Sequence, residues 1–207
     1  MIKVDLKGLC NNTFFNTTQY PQYKLSVSLF ITEILNKNHC NEWDEATLHR
    51  YLASNSNGIA KLGQGGFLKE DIKNIIERWE FLDPHLKAIA KSQEIPLWEE
   101  YNEVRKIVRS CTQKNMKIAT NRMLAGIQPL ILCSEVDIRR INKLVAYIHK
   151  YTTTIIPPYN KDNWEQASYT LLHEFHKLFP DYDKMSFCSL PWKLLDWFDD
   201  KYGEGKI

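Results

Sequence analysis

Residues 57–71 read NGIAKLGQGGFLKED, and four of the chain's eight glycines (Gly58, Gly63, Gly65, Gly66) fall within them. Glycines at that density suggest a loop whose backbone N–H groups cradle a phosphate. A P-loop needs GxxxxGK[ST] between a buried strand and a helix, with the Lys on the terminal phosphates and the hydroxyl on Mg²⁺. Gly58 and Gly63 have that separation, but Gln64 and Gly65 stand where the Lys and the Ser or Thr belong. The approach, SNSN, is no apolar strand, and GQGGF does not make the GxGxxG of a dinucleotide fold. The stretch reads as a Gly-rich connector leading into a helix, with a loop whose free backbone N–H groups touch a ligand or a nucleic-acid backbone as the alternative.

HEFHK at 173–177 has the residue types of a zincin helix, yet its second histidine, His176, stands at i+3 where HExxH needs i+4. The carboxylate pairs Glu99-Glu100, Asp199-Asp200 and Glu70-Asp71 fall in first turns or on polar faces of expected helices, where capping and solubility account for them. A nuclease-type Asp/Glu-x-Lys has one counterpart, Glu70-Asp71-Ile72-Lys73, on an expected helix rather than a strand. There is no GxSxG. The five cysteines (Cys10, Cys40, Cys111, Cys133, Cys188) are scattered and form no CxxC, so neither a zinc ribbon nor a disulfide framework is supported. They are expected as buried thiols. No catalytic residue, metal ligand or cofactor is assigned, and the chain is not expected to be an enzyme.

Charge is the stronger signal. The net charge is only +2, but residues 101–150 hold 10 Lys/Arg against 3 Asp/Glu, between flanks that are slightly acidic. A basic block in a near-neutral chain points to a polyanionic partner. Two amphipathic helices supply it. From Leu97 to about Thr112, Trp98, Tyr101, Val104, Ile107, Val108 and Cys111 share one face at about 100° per residue, leaving Asn102, Arg105, Lys106 and Arg109 opposite. In SEVDIRRINKLVAYIHKY, expected to be capped by Ser134, Ile138, Ile141, Leu144, Val145 and Ile148 form the apolar face, with Arg139, Lys143 and Lys150 opposite. Lys114, Lys117 and Arg122 lie between. The set expected on a phosphate backbone is Arg105, Lys106, Arg109, Lys114, Lys117, Arg122, Arg139, Arg140 and Lys143, as one patch if the faces are adjacent. Gln113, Asn115 and Asn121 are candidates for base edges, and a Tyr or Trp for stacking.

The remaining elements are helical too. KLSVSLFITEILNK (24–37) has helical spacing with Leu25, Leu29, Ile31 and Leu35 among its apolar positions. Asp44 is a plausible cap for the next helix. Ile72, Ile75, Ile76 and Trp79 form a stripe in LKEDIKNIIERWEFL, and Pro84 is expected to open a separate short helix. KIATNRMLAGI, residues from about Asp162 to Leu178, and WKLLDWFDDKY complete the series. TTTIIPPYN, broken by two prolines, reads as a loop or short edge strand. The fold expected is mainly α: one domain over 1–207 of about eight amphipathic helices with little or no strand. Residues 1–20 are read as an N-terminal arm and 203–207 as the start of a linker. No apolar run approaches the roughly 18 residues of a membrane span, and MIKVDLKGLCNNTFF lacks a signal peptide's apolar core, so the cytoplasm is expected.

Several of these segments carry a resemblance. NGIAKLGQGGFLKEDIKNIIERWEFLDPHLKAIAKSQ, PLWEEYNEV, KIATNRMLAGIQPLILCS and SLPWKLLDWF resemble segments ahead of the motor domain in modification-dependent restriction GTPases of the McrB type. The most telling stretch is ATNRMLAGIQPLILCS at 119–134, and the similarity covers about residues 55–200. In that family an N-terminal part recognises modified DNA, a ring-forming GTPase motor follows, and a separate nuclease subunit cuts. The resemblance therefore implies a recognition or regulatory module, or a free-standing relative, of a phage-defence system that lacks the motor and does not hydrolyse GTP. Its partners would be double-stranded DNA, possible GTPase motor and nuclease subunits, and no membrane. It assigns no DNA-reading residue. Two alternatives stay open: a protein-interaction module docking a motor or nuclease subunit through Trp192, Trp197 and Phe198, and a metal-dependent nuclease.

Overall fold

Where apolar residues recur at helical spacing the chain folds as helix. The computed structural model describes residues 3–13, 20–62 and 65–203. It contains α1 (Leu6–Thr13), α2 (Tyr20–Asn36), α3 (Glu45–Leu52), α4 (Lys69–Glu77), α5 (Trp79–Lys91), α6 (Trp98–Cys111), α7 (Lys117–Ala125), α8 (Ile138–Tyr151), α9 (Trp164–Leu178) and α10 (Leu190–Tyr202). Among the described residues there is no strand, only the isolated bridges Val4–Thr152 and Ser56–Lys61. A single apolar core draws side chains from α1 through α10. The mainly α class and the single domain are thus what the chain adopts, with ten α-helices among the described residues where about eight were expected. No described helix is long and apolar enough to cross a membrane.

The differences have local causes. α5 runs through Pro84, and the break expected there falls at Arg78 (φ −107°, ψ 18°). Proline removes one helical hydrogen bond, that of the Glu80 carbonyl. Trp79, Leu82, Leu86 and Ile89 bury their side chains on the same helix, each at about 1.5–3 kcal/mol, and outweigh it. On α2 the core stripe is Tyr23, Val27, Phe30 and Ile34, while Leu25 and Leu35 are exposed. α8 starts later than its composition suggests. Asp137 caps it by accepting from the Arg139 N–H at 3.0 Å, and Ser134 instead donates to the Cys188 carbonyl at 2.9 Å. Asp44 does cap α3, accepting from the Thr47 N–H at 2.9 Å. Within the segment read as an arm, Leu6 and Cys10 are fully buried and the Val4 N–H donates to the Tyr151 carbonyl at 2.8 Å; residues 1–2, 14–19 and 204–207 lie outside the described residues. Of TTTIIPPYN only Thr152 pairs, with Val4.

α5 lies against α2 and α6, α6 against α4 and α7, and α3 against α2 and α7. α8 packs on α9 and α10, and a 3₁₀ turn (Lys184–Ser189) touches α2, α9 and α10. Side chains join α6 to α9 directly: Arg105 to Glu165, and Trp98 edge-on to Tyr169.

The Gly-rich connector is a tight turn. Asn57 Oδ1 accepts from the Ile59 and Ala60 N–H groups, and the Leu62 N–H donates to the Asn55 carbonyl. Gly58 has φ +84°, and a Cβ there would stand 2.3 Å from Ser26 Oγ, so only glycine fits. Gly63 and Gln64 lie outside the described residues. The N-terminus of α4, where a phosphate would sit, already holds a carboxylate: buried Asp71 accepts from the Leu68 N–H at 3.0 Å. The same contact commits the acid of the Asp71-Ile72-Lys73 triplet to backbone.

Candidate nucleic-acid interface

α6 exists because Tyr101, Val104, Val108 and Cys111 bury one face, and that same periodicity turns Lys106 and Arg109 to solvent with Arg105 at the edge. The corner between α6 and α7 is fixed by α4. Asn74 Nδ2 donates to the Cys111 carbonyl at 3.0 Å, and the Gln113 N–H donates to Asp71 at 3.3 Å. Thr112 Oγ1 donates to the Lys114 carbonyl, and Arg109 donates to the Thr112 carbonyl at 3.0 Å. α7 then opens at Lys117 with no side-chain cap, so among the described residues no side chain accepts from its first-turn N–H groups. These add a partial positive charge to the corner.

Two adjoining clefts flank that corner. The smaller, about 300 Å³, is lined by Arg105, Lys106, Arg109 and Lys117 with Thr112, Asn115 and Thr120, and among the described residues no carboxylate lines it. The larger, about 620 Å³, shares Arg105, Asn115, Met116 and Lys117 and extends to Asn102, Lys114, Ile118, Ile138, Arg139 and Trp164. Its acids are mostly spent. Glu165, nearly buried, accepts from Arg105, and Asp137 is forked by Arg139 at 2.7–3.2 Å. Arg139 holds the Asp137 carboxyl below the usual carboxylate range. Lys114 and Lys117 form no ion pair among the described residues. Lys106 pairs with Glu103 on an exposed face, an interaction of little energy.

The nine expected cations do not form one patch. Arg105, Lys106, Arg109, Lys114, Lys117 and Arg139 gather at the two clefts. Arg140 and Lys143 line neither: Arg140 bridges Glu135 at 2.7 Å and Asp196 at 3.0 Å, and Lys143 pairs with Asp199 at 2.7 Å. Arg122 is not a phosphate contact. It is 1 % exposed and its guanidinium donates to the Ser54 carbonyl at 2.5 Å, reaching those of Leu52 and Ala60 at 3.4 and 3.5 Å. Burial pulls it down to about 10, so it stays charged at neutral pH. Among the candidates for base edges, Asn121 is buried and used up: it donates to the Val136 carbonyl at 2.7 Å and accepts from Arg105. Asn115 and Gln113 are exposed. Of the aromatics offered to a protein partner, Phe198 is fully buried against Tyr147, Tyr151 and Trp197, while Trp192 and Trp197 are half-buried.

The HEFHK histidines lie on α9 without converging. His173 stacks on Tyr169 and His176 tilts against Phe187. Among the described residues no group of three His, Cys, Asp or Glu side chains is placed to hold a metal. All five cysteines are buried free thiols, and burial pushes Cys10, Cys133 and Cys188 up to about 12.

Searches with this chain against family models, curated proteins and solved structures returned no match. The site's apolar wall, with Met116, Ile118 and Trp164, was not singled out by sequence reasoning. Its only trace there is a tryptophan at the start of a helix that Asn163 caps.

Proposed function

We propose that this chain is a DNA-binding module whose cations at the α6–α7 corner contact the phosphate backbone, in a restriction-type phage-defence setting. The observation that carries the binding half is the smaller cleft, with four cationic side chains and, among the described residues, no carboxylate in its wall. Among the described residues Lys114 and Lys117 have no ion pair to break, so their contact with phosphates releases the counterions condensed on the nucleic acid without first breaking a protein contact. The defence setting rests on the likeness of residues 119–134 and the runs around them to McrB-type proteins. On that reading a GTPase motor and a nuclease subunit are the protein partners, and this chain supplies recognition without hydrolysing GTP.

The test is fluorescence anisotropy of labelled duplexes, unmodified and cytosine-methylated, at two salt concentrations. With about four phosphate contacts, affinity falls roughly a hundredfold between about 50 and 200 mM salt. A preference for the methylated duplex adds the recognition role. No binding of either duplex, and none of the same strand unpaired, at the lower salt sinks the DNA reading and leaves docking of a protein partner in its place.

A further inference from the structure

The larger cleft continues into a shelf of rings. On α6, Trp98, Asn102, Arg105 and Arg109 follow one another at steps of four, three and four residues, and so share a face. On α9, Glu165, Tyr169 and His173 do the same. The two faces meet: Arg105 pairs with Glu165, and two turns away Trp98 meets Tyr169 at 5.9 Å between ring centroids. Tyr169 in turn stacks on His173 at 5.5 Å, 24° from parallel. The shelf starts about 6 Å, one helical turn, beyond the cleft lining on both helices. It is open: Trp98 is 38 % exposed, His173 is exposed, and Asn102, one turn from Trp98 toward the cleft, is exposed and makes no side-chain hydrogen bond among the described residues.

A run of cations feeding onto partly exposed rings is the combination that holds unpaired nucleotides. The cations track the phosphates, and every base has a π-face that stacks without regard to sequence. A paired duplex cannot use the rings, because its bases are already stacked on one another. We propose that Trp98, Tyr169 and His173 form a stacking shelf for unpaired nucleotides of a strand whose phosphates lie at the α6–α7 corner. The inference rests on the phosphate-binding reading above and adds the kind of nucleic acid bound.

Three labelled 20-mers test it by anisotropy at low salt: a mixed-sequence DNA strand, the same strand as RNA, and the DNA duplex. Wild type is expected to bind one of the single strands more tightly than the duplex, and the tighter of the two names the sugar preferred. Trp98→Ala should weaken single-strand binding roughly tenfold and leave the duplex within about twofold. His173→Ala, on an exposed side chain of α9, should lower single-strand affinity in the same selective way. Single-strand affinity unchanged in both variants, or a parallel loss on the duplex, overturns the shelf. Duplex binding that survives in that case leaves the phosphate-binding reading standing, whereas wild type that binds none of the three oligonucleotides overturns both.

Discussion

Replacing Arg122 with Ala should lower the stability of the fold by about 4 kcal/mol without touching any surface that could meet DNA. Two costs combine. A large side chain that is 1 % exposed leaves a cavity in α7, and large-to-Ala changes in cores cost about 2–5 kcal/mol. The backbone carbonyls of Leu52, Ser54 and Ala60 also lose their donor, at about 1–3 kcal/mol for a buried group left unsatisfied. Those carbonyls sit at the C-terminus of α3 and in the turn built on Gly58, so the guanidinium also answers the negative end of a helix. Arg122→Lys should recover only part of the loss, because one ammonium cannot span carbonyls that the planar fork reaches together. Denaturant unfolding checks this, and a thermal midpoint lower by about 10 °C is expected for the Ala variant in a domain of this size. A loss below about 1 kcal/mol would mean that the turn does not depend on Arg122.

The second large effect falls on Arg105, whose ion pair links α6 to α9. Glu165 is 7 % exposed at its side chain and Arg105 26 %. Removing one partner of a buried pair strands the other's charge at about 3–5 kcal/mol, and partial exposure of this pair brings the expected cost of Arg105→Ala to about 2–3 kcal/mol. Asn121 loses its donor in the same change. Arg105→Ala together with Glu165→Ala should then be less destabilising than the sum of the two single changes, with a coupling of about 1–3 kcal/mol. Additive losses would show that the pair contributes nothing to the packing of α6 on α9. The consequence for function is practical. A binding defect in Arg105→Ala mixes loss of a cation with loss of fold, so Arg105 is a poor probe of phosphate contact; Lys117 is exposed with no ion pair among the described residues, and Arg109 is exposed with one hydrogen bond, to the Thr112 carbonyl, and no ion pair among them.

The helices of the site were legible because their patterns are strong. α6 and α8 each carry an apolar stripe at helical spacing, and the buried residues Tyr101, Val104, Val108, Ile141, Leu144 and Ile148 are those the period selects. Arg122 was not legible. Every residue of α7 from Ala119 to Ala125 is buried, so past Lys117 and Ile118 the helix has no solvent face for a charge, and a pattern that assigns cations to a polar face fails where there is none. The ion pairs of Arg140 and Lys143 with α10 were not legible for a different reason. Their partners Asp196 and Asp199 lie more than fifty residues further along the chain, and only the packing of α10 on α8 brings them together. Trp98 read as part of an apolar stripe; that it meets a ring from α9 is likewise a tertiary fact.

The most direct measurement is the salt dependence of duplex binding by wild type, Arg109→Ala and Lys117→Ala. Each variant is expected to weaken binding alike on unrelated sequences and to lower the slope of log K against log salt by about one unit. If both variants bind with the wild-type slope and affinity, the cations of the α6–α7 corner do not contact phosphate.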